Sequence, residues 1–309
     1  MIVAFLDLLG FSQLVEKNIQ TADDCLYTFN RILKTKYLDA NKCKETDDFF
    51  VNSSITSFKD LISISDSLII SANERDVSTF VKQLSTFVST VAISTLKPFK
   101  QEFSDIKKVK NTDIVDVDFG GNYLDHNAFP VLFRGGISCG NEVAFFPQFY
   151  IFNYEILNQS INVVGENYVE AYKLERSGKG PRLFCNRKIV DLCTDDTKFV
   201  FRSTSDANTY EIVWTYYSCE TLEMMVNGFN HNIDNAIDKI ALPLYNLIKY
   251  YFQNNSEELA HYNEFLRVFL EGIALYAKKN NANKTPVICR LKNIFKDFSF
   301  IDIEDYFNN

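Results

Sequence analysis

The chain opens with an unbroken apolar run, Ile2-Val-Ala-Phe-Leu6, that meets Asp7, continues through Leu8 and Leu9, and stops at Gly10. Continuous apolar character closed by a glycine predicts a buried strand and a turn. Phe11, Leu14, Val15 and Ile19 then keep helical spacing, and Thr21-Ala-Asp-Asp24 predicts the cap of a further helix carrying Leu26, Phe29, Ile32 and Leu33. After a polar, irregular stretch over 39–58, Leu61-Ile-Ser-Ile-Ser-Asp-Ser-Leu-Ile-Ile70 sets two short apolar runs around a polar tip. That pattern predicts a β-hairpin with Asp66 at or beside its turn. Val77, Phe80, Val81, Leu84, Phe87, Val88, Val91 and Ala92 form an apolar stripe at 3.6-residue spacing, predicting a helix that packs on a sheet and ends at Pro98.

Residues 99–129 read as a charged, glycine-bearing surface insertion. Val131 to Gly140 is strand-like and carries Arg134. An aromatic cluster follows (Phe145, Phe146, Phe149, Tyr150, Phe152, Tyr154), expected as interface or core, before Ile161-Asn-Val-Val164 enters a turn at Gly165 and a helix with Val169, Tyr172 and Lys173. Strand, helix, hairpin, helix, strand, strand, helix is the order of an α+β, ferredoxin-like sandwich. Later segments predict short strands at Phe199 to Ser203 and Tyr210 to Tyr217. Helices are expected over Ile233 to Phe252, interrupted by Pro243, and along Leu259, Tyr262, Phe265, Leu266, Phe269, Ile273 and Tyr276. The expected division is a domain over 1–190 and a mostly helical extension over 191–309.

Composition narrows the function classes. Apolar content of 46% and charged content of 23% over 309 residues describe a folded chain with a sizeable core. A net charge of −8 argues against a broad nucleic-acid surface, although a single nucleotide needs only a few cations and bound metals. Seven cysteines without a C-x-x-C pair, and three histidines, argue against a zinc site or a disulfide framework and for reduced, buried thiols. No charged-then-apolar leader opens the chain, and no uncharged apolar run reaches the roughly 18 residues of a membrane span, so a cytoplasmic protein without a membrane partner is expected.

The candidate chemistry lies at strand ends. A carboxylate at the mouth of a buried strand is costly without a cation nearby, so Asp7 either caps the following helix or serves a site. Asp66 supplies a second carboxylate in a similar setting and Arg134 a guanidinium. Two aspartates and an arginine suit two metal ions and a polyphosphate.

The succession F-x-D-x-x-G-F-S at Phe5 to Ser12, an Asp-bearing hairpin, R-G-G-I-x-x-G at Arg134 to Gly140, and Gly165-Glu-Asn-Tyr-Val-Glu-Ala-Tyr-Lys-Leu-Glu175 resembles the catalytic domain of class III nucleotidyl cyclases. The likeness covers roughly residues 1–190. Within that family, R-G-G-I, E-A-Y-x-L-E and the later Gly180-Pro-Arg-Leu look most like the pyrimidine cyclases of bacterial Pycsar antiphage defence. The resemblance implies a ferredoxin-like cyclase sandwich and closure of UTP or CTP to a 3′,5′-cyclic nucleotide with release of pyrophosphate. Two Mg²⁺ or Mn²⁺ ions would be held by Asp7, Asp66 and the Leu8 carbonyl. Leu9, Gly10 and Phe11 would offer backbone amides to the phosphates, and Arg134 a cationic contact. The resemblance further implies a homodimer whose site is completed across the interface, and a separate effector that reads the cyclic product.

Two positions depart from the family. It usually carries Asn and Arg four and eight residues after the glycine matching Gly165, whereas this chain has Val169 and Lys173. Lysine keeps the charge and loses the bidentate fork; Asn167 or Tyr168 are the nearby candidates for the asparagine's role. A catalytically inert cyclase-like module that binds a nucleotide or a partner is therefore the alternative reading. Positions that read the base in purine-using relatives correspond to Ile62 and Asn162. Ile62 offers a purine edge no hydrogen bond, and Asn162 presents a donor and an acceptor that fit uracil or cytosine.

Overall fold

The computed structural model describes the chain except for residues 44–55, 101–128, 141–143, 153–154, 221–232, 255, 299–300 and 309. For 34–43, 98, 100, 144–162 and 235–236 the backbone alone is described.

Strand β1 (Ile2–Leu8) lies at the middle of the architecture. It is buried on both faces, with Ile2, Ala4, Leu6 and Leu8 in one core and Val3 and Phe5 in a smaller one opposite. Burial on both faces is why the run is continuously apolar instead of alternating. The hairpin β2 (Asp60–Ile64) and β3 (Ser67–Ala72) pairs antiparallel with β1 on one side, and β4 (Phe133–Cys139) pairs antiparallel on the other. Helices α1 (Phe11–Lys17) and α2 (Ile19–Cys43) lead from β1 to the hairpin, and α3 (Val77–Leu96) leads from it towards β4. The order β2-β3-β1-β4 with these connections is the ferredoxin-like arrangement, and the α+β class expected from the sequence is the one observed.

The sheet continues past β4. Strand β7 (Leu183–Asn186) joins β4 in parallel, followed by β9 (Thr209–Ile212) and β8 (Phe201–Ser203), for seven strands among the described residues. Strands β5 (Ala144–Phe152) and β6 (Glu155–Val164) form a separate two-stranded hairpin. Helix α4 (Glu166–Glu175) then lies across the smaller core. A Cβ at Gly136 would stand 2.0 Å from the Ala171 carbonyl oxygen, so only glycine lets α4 approach β4 this closely. Phe5 meets the rings of Tyr168 and Tyr172 edge-on, at 6.1 and 5.2 Å between centroids.

The larger core is continuous from end to end of the chain. Phe29 of α2, Phe80 of α3 and Phe133 of β4 share it with Trp214 and with the helices α5 (Leu242–Gln253), α6 (Leu259–Lys279), α7 (Lys284–Ile294) and α8 (Ile303–Asn308). Residues 191–309 thus add two strands of the sheet as well as helices.

Several local expectations change. The second helix begins at Ile19 and is capped by Asn18, whose Oδ1 accepts from the Gln20 and Thr21 amides at 3.1 and 3.2 Å; Thr21 lies inside the helix. The strand expected over Tyr210 to Tyr217 ends at Ile212. There the Val213 amide turns to the Val200 carbonyl, and the Trp214 indole donates to the Pro181 carbonyl at 2.7 Å. Pro243 stands in the first turn of α5, directly after a π-helical stretch over Ile237–Ala241 from which the helix continues without a break. Helices α7 and α8 were not anticipated. The 99–129 insertion falls mostly outside the described residues, as do the side chains of the aromatic cluster.

Candidate active site

Strand register assembles the site. Asp7 on β1 stands opposite Ser67 on β3 and Arg134 on β4, so the three side chains are cross-strand neighbours in one row. Ser67 Oγ donates to Asp7 Oδ1 at 2.9 Å, and Arg134 donates to Asp7 Oδ2 from Nε and Nη2 at 3.2 and 3.0 Å. Arg134 Nε also pairs with Glu175, the last residue of α4, whose side chain is 2% exposed. Arg134 is therefore held between a carboxylate on the central strand and one on the covering helix.

Asp66 occupies the hairpin turn, next to Ser65 with φ 55°. Its carbonyl accepts from the Leu8 amide at 3.0 Å, which ties the hairpin tip to the end of β1. The Asp66 carboxyl is pushed above its ordinary range, first by burial and then by the negative charge of Asp7, while its own backbone amide and Arg134 pull the other way. Glu175 is likewise raised, chiefly by burial, with Arg134 opposing. Asp7 and Glu175 thus share the Arg134 guanidinium with Asp66 close by, and three carboxylates so grouped attract further positive charge.

Among the described residues no three His, Cys, Asp or Glu side chains form a metal cluster. Mg²⁺ commonly takes only one or two carboxylates, with water and substrate phosphates completing its shell. The hard oxygens of Asp7 and Asp66 fit that pattern.

The turn after β1 is partly committed. The Leu9 amide donates to the Leu132 carbonyl at 2.9 Å, so it is spent within the fold. Gly10 has φ 79°, a backbone that a side chain would strain, and stands at the cap position of α1 with Phe11 as the buried first residue. Leu8, whose carbonyl was the expected third metal ligand, is buried as the last residue of β1.

The other candidate residues lie further off. Ile62 pairs with Ile69, which pairs with Phe5, and so belongs to the row next along from Asp7, offset from it by roughly 7 Å along the strands and by two strand spacings of about 5 Å across the sheet. It packs on the smaller core with Val163 and Tyr168. Asn162 faces Phe146 across the separate hairpin, with its side chain outside the described residues. Lys173 is exposed, and residues two apart on a helix do not share a face, so it points away from Glu175 and from its own Asp7. Val169, Tyr172 and Lys173, at i, i+3 and i+4, form one exposed face of α4. Glu175 had no role assigned from sequence. Its signal was a carboxylate on the buried side of a helix, two residues beyond an exposed lysine.

No family model matches the chain, and no curated protein matches it. Solved structures do resemble it. The guanylate cyclase domain of RhGC from Catenaria anguillulae, in complex with GTP, is 14% identical, with 68% of this chain and 94% of that one covered at a TM-score of 0.41. The adenylyl cyclase CyaB from P. aeruginosa is 12% identical, with 68% and 92% covered at a TM-score of 0.38. The guanylyl cyclase Cya2 is 13% identical, with 69% and 90% covered at 0.38.

Proposed function

We propose that this chain is a nucleotidyl cyclase that closes a pyrimidine nucleoside triphosphate, UTP or CTP, to its 3′,5′-cyclic monophosphate and releases pyrophosphate. The observation that carries the reading is the meeting of Asp7 and Asp66 at one strand end, with Arg134 suspended between Asp7 and Glu175. Mg²⁺ or Mn²⁺ held by Asp7, Asp66 and the Leu8 carbonyl would lower the pKa of the attacking 3′-hydroxyl and neutralise the departing oxygens. Arg134 would turn part of its fork from Asp7 to the triphosphate, while Glu175 keeps the other edge of the guanidinium in place. Gly10 and Phe11 would leave backbone donors beside the phosphates.

A homodimer is part of the proposal, because Lys173 is turned away from its own Asp7 and can serve only a partner's site. The exposed Val169, Tyr172 and Lys173 face would then form part of the interface. Ile62 favours a pyrimidine by offering a purine edge no partner, worth about 1–3 kcal/mol for a lost buried pairing; Asn162 is the proposed base reader. In the cytoplasm the cyclic product would act on a separate effector in antiphage defence.

The test is incubation of the purified chain with each of the four NTPs and Mn²⁺, with products separated by chromatography. Cyclic UMP or cyclic CMP should exceed cyclic AMP and cyclic GMP by at least roughly tenfold. Asp7→Ala and Asp66→Ala should each abolish product while the circular dichroism spectrum stays that of the wild type; full activity in either removes the assignment. Val169 and Lys173, standing where an asparagine and an arginine would serve turnover, favour one second reading, a module that binds nucleotide without converting it. Saturable UTP binding with no product from any NTP would select it.

A further inference from the structure

Remote from Asp7 in the sequence, the end of α6, the stretch around Phe199 to Arg202 and the helix α8 enclose a cavity of about 690 Å³. That size lies within the range of sites for small organic ligands. Part of its wall is apolar, from Leu275, Ala274 and the ring of Tyr306, and part is cationic, from Arg202, Lys279 and Lys284.

The cations are the unusual feature. Arg202 donates from Nη1 to the carbonyls of Phe199 and Phe201, at 3.0 and 3.2 Å. The Lys279 ammonium lies 3.9 Å from the centroid of the Phe199 ring. Lys284 Nζ donates to the Phe307 carbonyl at 2.8 Å. None of the three forms an ion pair among the described residues. Three carboxylates also line the cavity: Glu271, which takes Arg267 Nη1 at 2.8 Å, Asp195, which takes Lys198 at 3.0 Å, and Asp305. In a chain of net charge −8, three cations that form no ion pair among the described residues, gathered around one concavity, mark a place where an anion gains and none of their own pairs is broken.

Arg202 keeps Nε and Nη2 for a forked contact with a phosphate, and the lysines add point charges from the other side. The Leu275 and Tyr306 wall offers a surface on which a flat ring can lie. We propose that this cavity is a second ligand site, separate from the Asp7 site, that takes a phosphate ester bearing a planar ring, of nucleoside monophosphate size. The proposal stands whether or not the chain is a cyclase.

The experiment is isothermal titration of the full chain with uridine 5′-monophosphate in EDTA, with inorganic phosphate and ribose 5-phosphate as the ringless arms. Uridine monophosphate should saturate and bind at least roughly tenfold tighter than either ringless probe. Lys279→Glu should weaken it at least roughly tenfold, and Asp66→Ala should leave it unchanged. Lys284→Glu serves as the second charge-reversal variant, and the thermal midpoint of each variant reports its folding. Equal affinity for uridine monophosphate in wild type, Lys279→Glu and Lys284→Glu would overturn the proposal. So would loss of binding in Asp66→Ala, or no saturation by about 10 mM.

Discussion

At Gly136 the fold tolerates no side chain. The nearest atom to a new Cβ belongs to the backbone of α4 and cannot swing aside, so Gly136→Ala must push the helix off the sheet. Overpacking against main chain of this kind should cost on the order of 3 kcal/mol, read as a lower urea midpoint, and should loosen the Glu175 contact to Arg134. The sequence announced Asp7, Asp66 and Arg134 because a charge that interrupts an apolar run stands out against its neighbours. Glu175 stayed hidden because its burial depends on which side of α4 meets β4, and one helix turn in isolation does not say so. The Leu9 amide was misjudged for a similar reason, since its acceptor, Leu132, is more than a hundred residues away in the chain.

Among the elements, α6 is fastened to the sheet by charge as well as by apolar contact. Glu211 on β9, 4% exposed, accepts from Arg182 at 2.7 and 2.6 Å and from Arg267 of α6 at 2.8 and 3.0 Å. Removing the carboxylate leaves Arg182 and Arg267 facing each other with only Glu264 and Glu271 to balance them, so Glu211→Ala should destabilise the fold by roughly 1–3 kcal/mol. Glu211→Ala combined with Arg267→Met should recover part of that loss, and chemical denaturation of both variants measures it. Strong periodicity made α3 and α6 legible from the sequence; the predicted stripe of α3 is buried throughout, and that of α6 is buried except for the half-buried Leu259, while Val268 and Leu270 are buried as well. The hairpin was legible too, since a polar Ser-Asp-Ser tip between β-branched runs has few other uses. What failed was extent: β9 is short because Trp214 is drawn to the Pro181 carbonyl, a partner that no local pattern reveals.

For the whole molecule, one apolar core links the first strand to the last helix. A chain cut after residue 190 would lose β8, β9 and α5 to α8, and with them Trp214, Phe265 and Phe269 of the shared core. It should therefore lack a cooperative thermal transition, checked by calorimetry. The same long-range packing sets a pH dependence. His261 on α6 accepts the Gly180 amide at Nδ1 over 3.0 Å, and burial, followed by the charges of Arg134 and Lys179, holds its pKa below 6.5. Below pH 6.5 the unfolded chain takes up the proton first, so stability is present above that value and is lost as pH falls towards the lower folded pKa. Thermal midpoints between pH 7 and pH 5 should fall more steeply in the wild type than in His261→Gln. That coupling could not be read from sequence, where His261 was one of three isolated histidines.

The tie between the Leu8 amide and the Asp66 carbonyl makes the spacing of the two carboxylates a property of strand pairing. Were β1 to slip by one residue against its neighbours, Asp7 would turn into the large core and Leu8 would take its place. On the proposed cyclase reading any mispaired conformer is inert, and turnover per molecule would count correctly registered sheets. A preparation that looks folded by helix content but holds slipped strands would betray itself by proportionally low specific activity. Its surviving fraction would show unaltered substrate affinity.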